Sequence, residues 1–247
     1  NARAGLDWLE GRERSWAHCN NFRYHVWWHK ALMHLDQGEI DSVFALYDHE
    51  IRQDKTDDFR DISNGTSLLM RLELEGHDVG ERWEELADIS ERRADDACLI
   101  FADLHYMLAL VGDNREAAIK QMLARLHRDA KKTNAGELMA RMANPGLSAA
   151  TGLEAFGGGD YKTAFLNLGR ARRSMQLAGG SHAQRDVFER LTIDCAIRGG
   201  FLDEAETILE ERATQRAGRL DSYASTRLDL ITASRGDWDE VDRLPAE

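Results

Sequence analysis

Two histidines lie four residues apart in the segment His25-Val26-Trp27-Trp28-His29, so on a helix they share one face. Helical metal sites use that spacing, as in His-Glu-x-x-His. Here Val26, Trp27 and Trp28 fill the interval, and no glutamate stands where a metalloprotease keeps its general base. A zinc ion would need a third ligand from elsewhere, with His105, His182, Asp48 and Asp103 as candidates. The weak metal candidates are thus His25, His29 and His105, and no cofactor is implied. The favoured reading is structural: both rings line the inner face of a helix, each hydrogen-bonded to a carboxylate or a backbone carbonyl. In that case His29→Ala costs stability through a lost buried hydrogen bond. The competing reading is a metal-free pocket in which His29 exchanges protons near neutral pH while Asp48, Asp103 and Arg71 set orientation and charge.

Arg71 sits between Leu69 and Leu72 on an otherwise apolar stripe, so its guanidinium needs a carboxylate or a bound anion. Arg185-Asp186, at the start of a helix, poses the same choice, and structural pairing is favoured at both. Trp16, Trp27, Trp28 and Trp83 read as packing residues rather than a stacking box. The sequence contains no Gly-x-Gly-x-x-Gly, no phosphate loop and no Gly-x-Ser-x-Gly elbow.

These residues must be positioned by helices. Only two prolines, Pro145 and Pro245, interrupt the 247 residues. A glycine followed by an acidic or aromatic residue and an apolar helical stripe recurs at Gly38-Glu39, Gly112-Asp113, Gly159-Asp160, Gly200-Phe201 and Gly236-Asp237. Each reads as a helix stop and restart, with the acidic side chain capping the next helix where one is present. Gly159 to Gly200 is 41 residues, Gly200 to Gly236 is 36, and Gly38 to Gly112 is 74, or two units. Helix-turn-helix arrays repeat at about 34 residues and vary upward. The fold expected is all-α, a tetratricopeptide-like array (an α-solenoid) of about 12 to 14 helices forming one domain over 1–247. The expected helices are 20–37, 39–53, 58–75, 79–91, 95–111, 114–130, 134–142, 147–158, 160–178, 182–198, 201–215, 219–234 and 237–243. Asn144-Pro145-Gly146 reads as a turn and a sub-boundary near 144–146, and Ser181 as an N-cap.

The formal net charge of −12 disfavours nucleic acid and anionic membrane as partners, and Arg170-Ala171-Arg172-Arg173 reads as an exposed helix face. Cys19, Cys98 and Cys195 are scattered and odd in number, which argues against disulfide stapling and fits a reducing, cytoplasmic compartment. No apolar run approaches the ~20 residues of a membrane span.

Several blocks then carry a resemblance. The run His25-Val26-Trp27-Trp28-His29-Lys30-Ala31-Leu32 precedes Tyr47-Asp48. Ser67-Leu68-Leu69-Met70-Arg71-Leu72-Glu73-Leu74-Glu75-Gly76 leads to Gly80-Glu81-Arg82-Trp83. Phe101-Ala102-Asp103-Leu104-His105 follows, then Gly179-Gly180-Ser181-His182-Ala183-Gln184-Arg185-Asp186. Together, over roughly 16–199, they resemble the tetratricopeptide repeat protein 38 family, whose members are longer and carry further N-terminal repeats. The resemblance implies that this chain is a C-terminal piece, and it implies a fold without a settled reaction. At His182 the sequence departs from an asparagine of some relatives.

Two functions are consistent with these residues. The favoured one is a scaffold that binds a protein or peptide on a concave helical face, with an open groove and the histidines packed away. The alternative is an enzyme or small-ligand binder with a His/Asp/Arg pocket inside the array, in which His25, His29, His105 and His182 converge. Exposed apolar faces at a repeat end would also suit a homodimer.

Overall fold

A computed structural model describes residues 2–132 and 136–241, with side chains described as far as 236. Among the described residues the chain is helical, with no strand. The helices are α1 (Ala2–Leu9), α2 (Phe22–Asp36), α3 (Ile40–Leu46), α4 (Phe59–Leu74), α5 (Arg82–Arg92), α6 (Ile100–Gly112), α7 (Glu116–Ala130), α8 (Glu137–Arg141), α9 (Ser148–Gly157), α10 (Tyr161–Arg172), α11 (His182–Gly199), α12 (Leu202–Gln215) and α13 (Ser222–Val241). None is long and apolar enough to cross a membrane.

Local chemistry sets the ends. Asp58 caps α4 by accepting from the Arg60 amide at 2.9 Å, and Asp160 caps α10 through the Thr163 amide at 3.0 Å. Ser181 and Gln184 form a reciprocal capping box at the start of α11, as expected for Ser181. Gly38, Gly159 and Gly200 take left-handed conformations between helices.

The other two glycine restarts differ from expectation. At 112–115 the left-handed residue is Asn114, not Gly112. Gly112 is the last residue of α6 and lies against the Trp83 indole, where a Cβ would come within 2.4 Å of the ring. At Gly236 the helix does not stop: α13 continues to Val241, so the expected pair 219–234 and 237–243 is one helix, and 242–243 lie outside the described residues, as does Pro245.

Other boundaries also move. The helix expected over 39–53 becomes α3 followed by a wider turn, Tyr47–Ile51, that buries Tyr47 and Ile51. The one expected over 160–178 ends at Arg172 and is followed by a short 3₁₀ turn, Met175–Ala178. Residues 95–99 stay outside α6, with Ala97 at positive φ. Asn144-Pro145-Gly146 lies in a wide helical turn, Met142–Leu147, where Asn144 is extended ahead of the proline. Helix α1 is not among the expected elements.

Most consecutive helices pack against one another, and α2, α4, α6 and α9 also contact one another in chain order. Two helices are buried on all sides. Every residue of α6 from Ile100 to Val111 is buried, and every residue of α4 from Asp61 to Leu72. Helix α4 lies against α2, α5 and α6 and also against α11, more than a hundred residues later. A helix enclosed this way must satisfy its polar side chains internally. Ser63 and Ser67 donate to the carbonyls of Phe59 (2.7 Å) and Asn64 (3.1 Å), and Ser67 also accepts from the Trp28 indole at 3.1 Å. One contiguous apolar core runs from Trp28 to Ile231.

Gly112→Ala should destabilise by about 1–3 kcal/mol, because the anchored Trp83 ring leaves no room for a methyl group. Gly236→Ala, on an open face of a continuous helix, should stabilise by about 0.5–1 kcal/mol. Urea unfolding of both variants measures this, and a loss of stability at Gly236 would restore a helix break there.

Candidate functional site

The C-terminal half of α2, the last turn of α4, the 3₁₀ turn, the first half of α11 and the end of α12 line a half-open cavity of about 780 Å³. Helix α2 contributes Leu32, Leu35 and Asp36, and α4 contributes Arg71. The turn region contributes Arg172, Met175 and Gln176. From α11 come His182, Ala183, Arg185, Asp186, Phe188, Glu189, Arg190 and Thr192, and from α12 Glu211, Arg212, Gln215 and the adjoining Arg216.

The wall is a lattice of arginine–carboxylate contacts. Asp186 lies 3.0 Å from Arg190 Nε and 2.9 Å from Arg212 Nε. Arg212 reaches on to Asp221 at 2.7 Å, and Arg190 to Glu75 at 2.7 Å. Arg172 bridges Glu189 (2.8 Å) and Glu211 (2.7 Å). The Tyr223 ring lies 4.4 Å from the guanidinium carbons of both Arg190 and Arg227, and its hydroxyl donates to Asp194 at 2.6 Å. Burial alone would raise the Asp186 pKa, but Arg190, Arg212 and Arg71 outweigh it and hold the carboxyl well below the usual range. Asp36 goes the other way: burial raises it against the pull of Arg190.

Arg71 links this lattice to the interior. It is fully buried and donates to the carbonyls of Ser67 (2.8 Å) and Ala183 (2.7 Å), with Asp186 at 3.9 Å and the Trp28 ring 5.7 Å from its guanidinium carbon. Burial lowers its pKa to about 9 while Asp186 supports it, so it stays cationic at neutral pH.

The structure therefore brings together four of the expected residues, Arg71, His182, Arg185 and Asp186, and separates the rest. His25 and His29 lie in a different, largely apolar groove of about 400 Å³ beside Gly5, Trp8, Leu9 and Phe22. His25 Nδ1 donates to Asn64 Oδ1 at 3.2 Å, and its ring stacks on Trp28. His29 stands edge-on to both His25 and Trp28. Burial, with His25 and Arg71 nearby, lowers its pKa to about 4. Among the described residues His29 has no side-chain hydrogen-bond partner, so the lost-hydrogen-bond expectation for His29→Ala does not hold. His105 is fully buried between Phe101 and Phe188. Its Nδ1 donates to the Phe101 carbonyl at 2.7 Å, which leaves Nε2 unpartnered, and burial lowers its pKa to about 4.

The expected convergence of His25, His29, His105 and His182 thus does not occur. His25 and His29 line the apolar groove, His105 is buried in the interior, and only His182 is on the cavity wall. Asp48 is on the surface, gripped by Arg82 at 2.7 and 2.8 Å. Asp103 is interior, 2.7 Å from Arg125, and burial raises its pKa to about 6 against that charge. Neither lines the cavity. Among the described residues no three His, Cys, Asp or Glu side chains are grouped to hold a metal ion.

Sequence reading missed Asp36, Glu75, Arg190, Arg212 and Asp221. The signal that singled out Arg71, a cation inside an apolar stripe, was also present at Arg212 after Ala205, Ile208 and Leu209, and at Arg190 beside Val187 and Leu191.

No protein-family model matches the chain, and no solved structure matches it.

The buried His105 ring makes stability depend on pH. Its folded pKa lies below the unfolded value, so its contribution is complete above about pH 6.5 and declines as pH falls towards 4. Asp103, raised on folding, acts with the opposite sign between its ordinary value and about 6, which blunts the total. His105→Phe removes only the His105 contribution and leaves that of His29, lowered in the same direction, in place. Between pH 7 and pH 5 the variant should lose about 2 kcal/mol less stability than the parent in urea unfolding. Equal losses would contradict the assignment.

Proposed function

We propose that this chain is a small-ligand-binding protein whose ligand occupies the arginine-walled cavity inside a tetratricopeptide-like helical array. The observation that carries this reading is the cavity itself. About 780 Å³ lies within the range of small-molecule sites, and ten Arg, Asp and Glu side chains line it together with the apolar Leu32, Leu35, Met175 and Phe188. The carboxylate lattice fixes Arg172, Arg190 and Arg212, so little side-chain entropy remains to be lost when a ligand arrives. The repeat reading is supported by the packed pairs α2/α3, α4/α5, α6/α7, α9/α10 and α11/α12, and by the chain-order contacts of α2, α4, α6 and α9. The resemblance to the tetratricopeptide repeat protein 38 family belongs to the same proposal.

A peptide-binding scaffold is the second reading. It is favoured by one observation: His25, His29 and His105 are packed away from the cavity, which leaves a mainly Arg/Asp/Glu wall.

Ala183 lies on the first turn of α11 and lines the cavity, so Ala183→Trp should fill it with little strain elsewhere. In a ligand-observed NMR screen of a mixed small-molecule library, compounds that bind the parent should lose binding to this variant while its urea midpoint stays put. A screen without binders, or with binders indifferent to the substitution, would overturn the small-ligand reading. Binding confined to peptides, and lost on the same substitution, would establish the scaffold instead.

A further inference from the structure

The carboxylates of the cavity are not shared evenly among its six arginines. Arg172 has Glu189 and Glu211, Arg190 has Glu75 and Asp186, and Arg212 has Asp186 and Asp221. Arg216 has Asp221 at 3.3 Å. Asp36 faces the same space but stands 3.9 Å from Arg190. Two guanidinium groups have no carboxylate at hydrogen-bonding distance among the described residues. Arg71 donates only to backbone carbonyls, and its nearest carboxylate, Asp186 at 3.9 Å, is already engaged by Arg190 and Arg212. Arg185 donates only to the carbonyls of Gly179 (3.1 Å) and Gly180.

Both of these cations line the cavity around the first turn of α11, Arg71 through the Ala183 carbonyl and Arg185 from that turn itself. The 18-residue helix presents its positive end there. A guanidinium carries five N–H donors, and the carbonyl contacts use only some of them. The strongly depressed Asp186 carboxyl reports the same positive field. Facing this corner, Leu32 and Leu35 of α2, with Met175 and Phe188, supply an apolar wall.

We propose that the cavity takes a ligand with a carboxylate or phosphate head gripped by Arg71 and Arg185, and an apolar body laid against Leu32, Leu35, Met175 and Phe188. This rests on the small-ligand reading above and adds the ligand's chemical class and orientation. A charge-assisted contact to either arginine supplies the missing counter-charge, and a bidentate geometry suits both head groups. A cationic head at this corner would meet the like charges of Arg71 and Arg185.

The test uses the full chain and a series with one apolar body: hexanoate, hexyl phosphate, hexanol and hexylamine, measured by calorimetry at low and raised salt. The two anions should bind about tenfold or more tightly than the alcohol and the amine, and raised salt should weaken only the anions. Whichever of hexanoate and hexyl phosphate binds tighter identifies the head group. Arg185→Gln should remove that preference and Arg185→Lys should restore part of it, while Arg82→Gln, on the far surface, should change nothing. Arg71→Gln is read only if its melting shows a folded protein, and Arg185 carries the test alone otherwise. Equal binding of all four compounds, or an anion preference that survives Arg185→Gln, overturns the anion assignment. So does failure of the whole series while other compounds occupy the cavity and are displaced by Ala183→Trp. If nothing occupies the cavity, the small-ligand reading falls with it.

Discussion

One buried cation organises the centre of this molecule. The Arg71 guanidinium extends from α4, one of the two enclosed helices, to the Ala183 carbonyl at the start of α11, and it lies near the Trp28 ring of α2. A charge cannot remain in such a place without compensation. The surroundings supply it in layers: two carbonyls in direct contact, Asp186 a little further away, and behind Asp186 a lattice that recruits Arg190, Arg212, Glu75 and Asp221. Burial, with a contribution from Arg71, lowers the pKa of both His29 and His105, which spares the interior further positive charge.

That arrangement explains why the interior is so polar for a buried core. Asn64, Thr66 and Ser67 are enclosed on α4, and each closes a local hydrogen bond or receives one from a neighbouring helix. Small side chains and Gly65 let α5 approach; a Cβ at Gly65 would stand 3.3 Å from Leu86. The apolar cluster provides most of the driving force for folding, while the polar contacts fix which helix faces which.

Much of the helical layout was legible in the sequence, because glycine punctuation and apolar periodicity are local signals. Gly38, Gly159, Gly200 and the Ser181 cap mark their boundaries by backbone and capping chemistry alone. Gly112 and Gly236 misled for a tertiary reason. One is kept small by the Trp83 ring; the other sits on an open helix face and stops nothing. The site was only half legible. Arg71, Arg185 and Asp186 could be singled out as charges in an apolar or helix-start context, and His182 by its block. Which of them meet was not readable, since it depends on α11 folding back onto α4 across more than a hundred residues. The tightly spaced His25 and His29 looked like the more chemical feature, yet their helix places them in a groove beside Trp8 and Phe22 and outside the arginine-lined cavity.

The contact between α4 and α11 also has a consequence for how the chain is made. The contacts Arg71–Ala183 and Glu75–Arg190 join residues 112 and 115 positions apart. At ribosomal elongation speeds of about 5–20 residues per second, the second partner emerges roughly 6–20 s after the first. Throughout that interval the side of α4 that meets α11 stays uncovered, and Arg71 lacks its contact with the Ala183 carbonyl. A plain stack of neighbouring repeats would cover each unit as soon as the next one appeared.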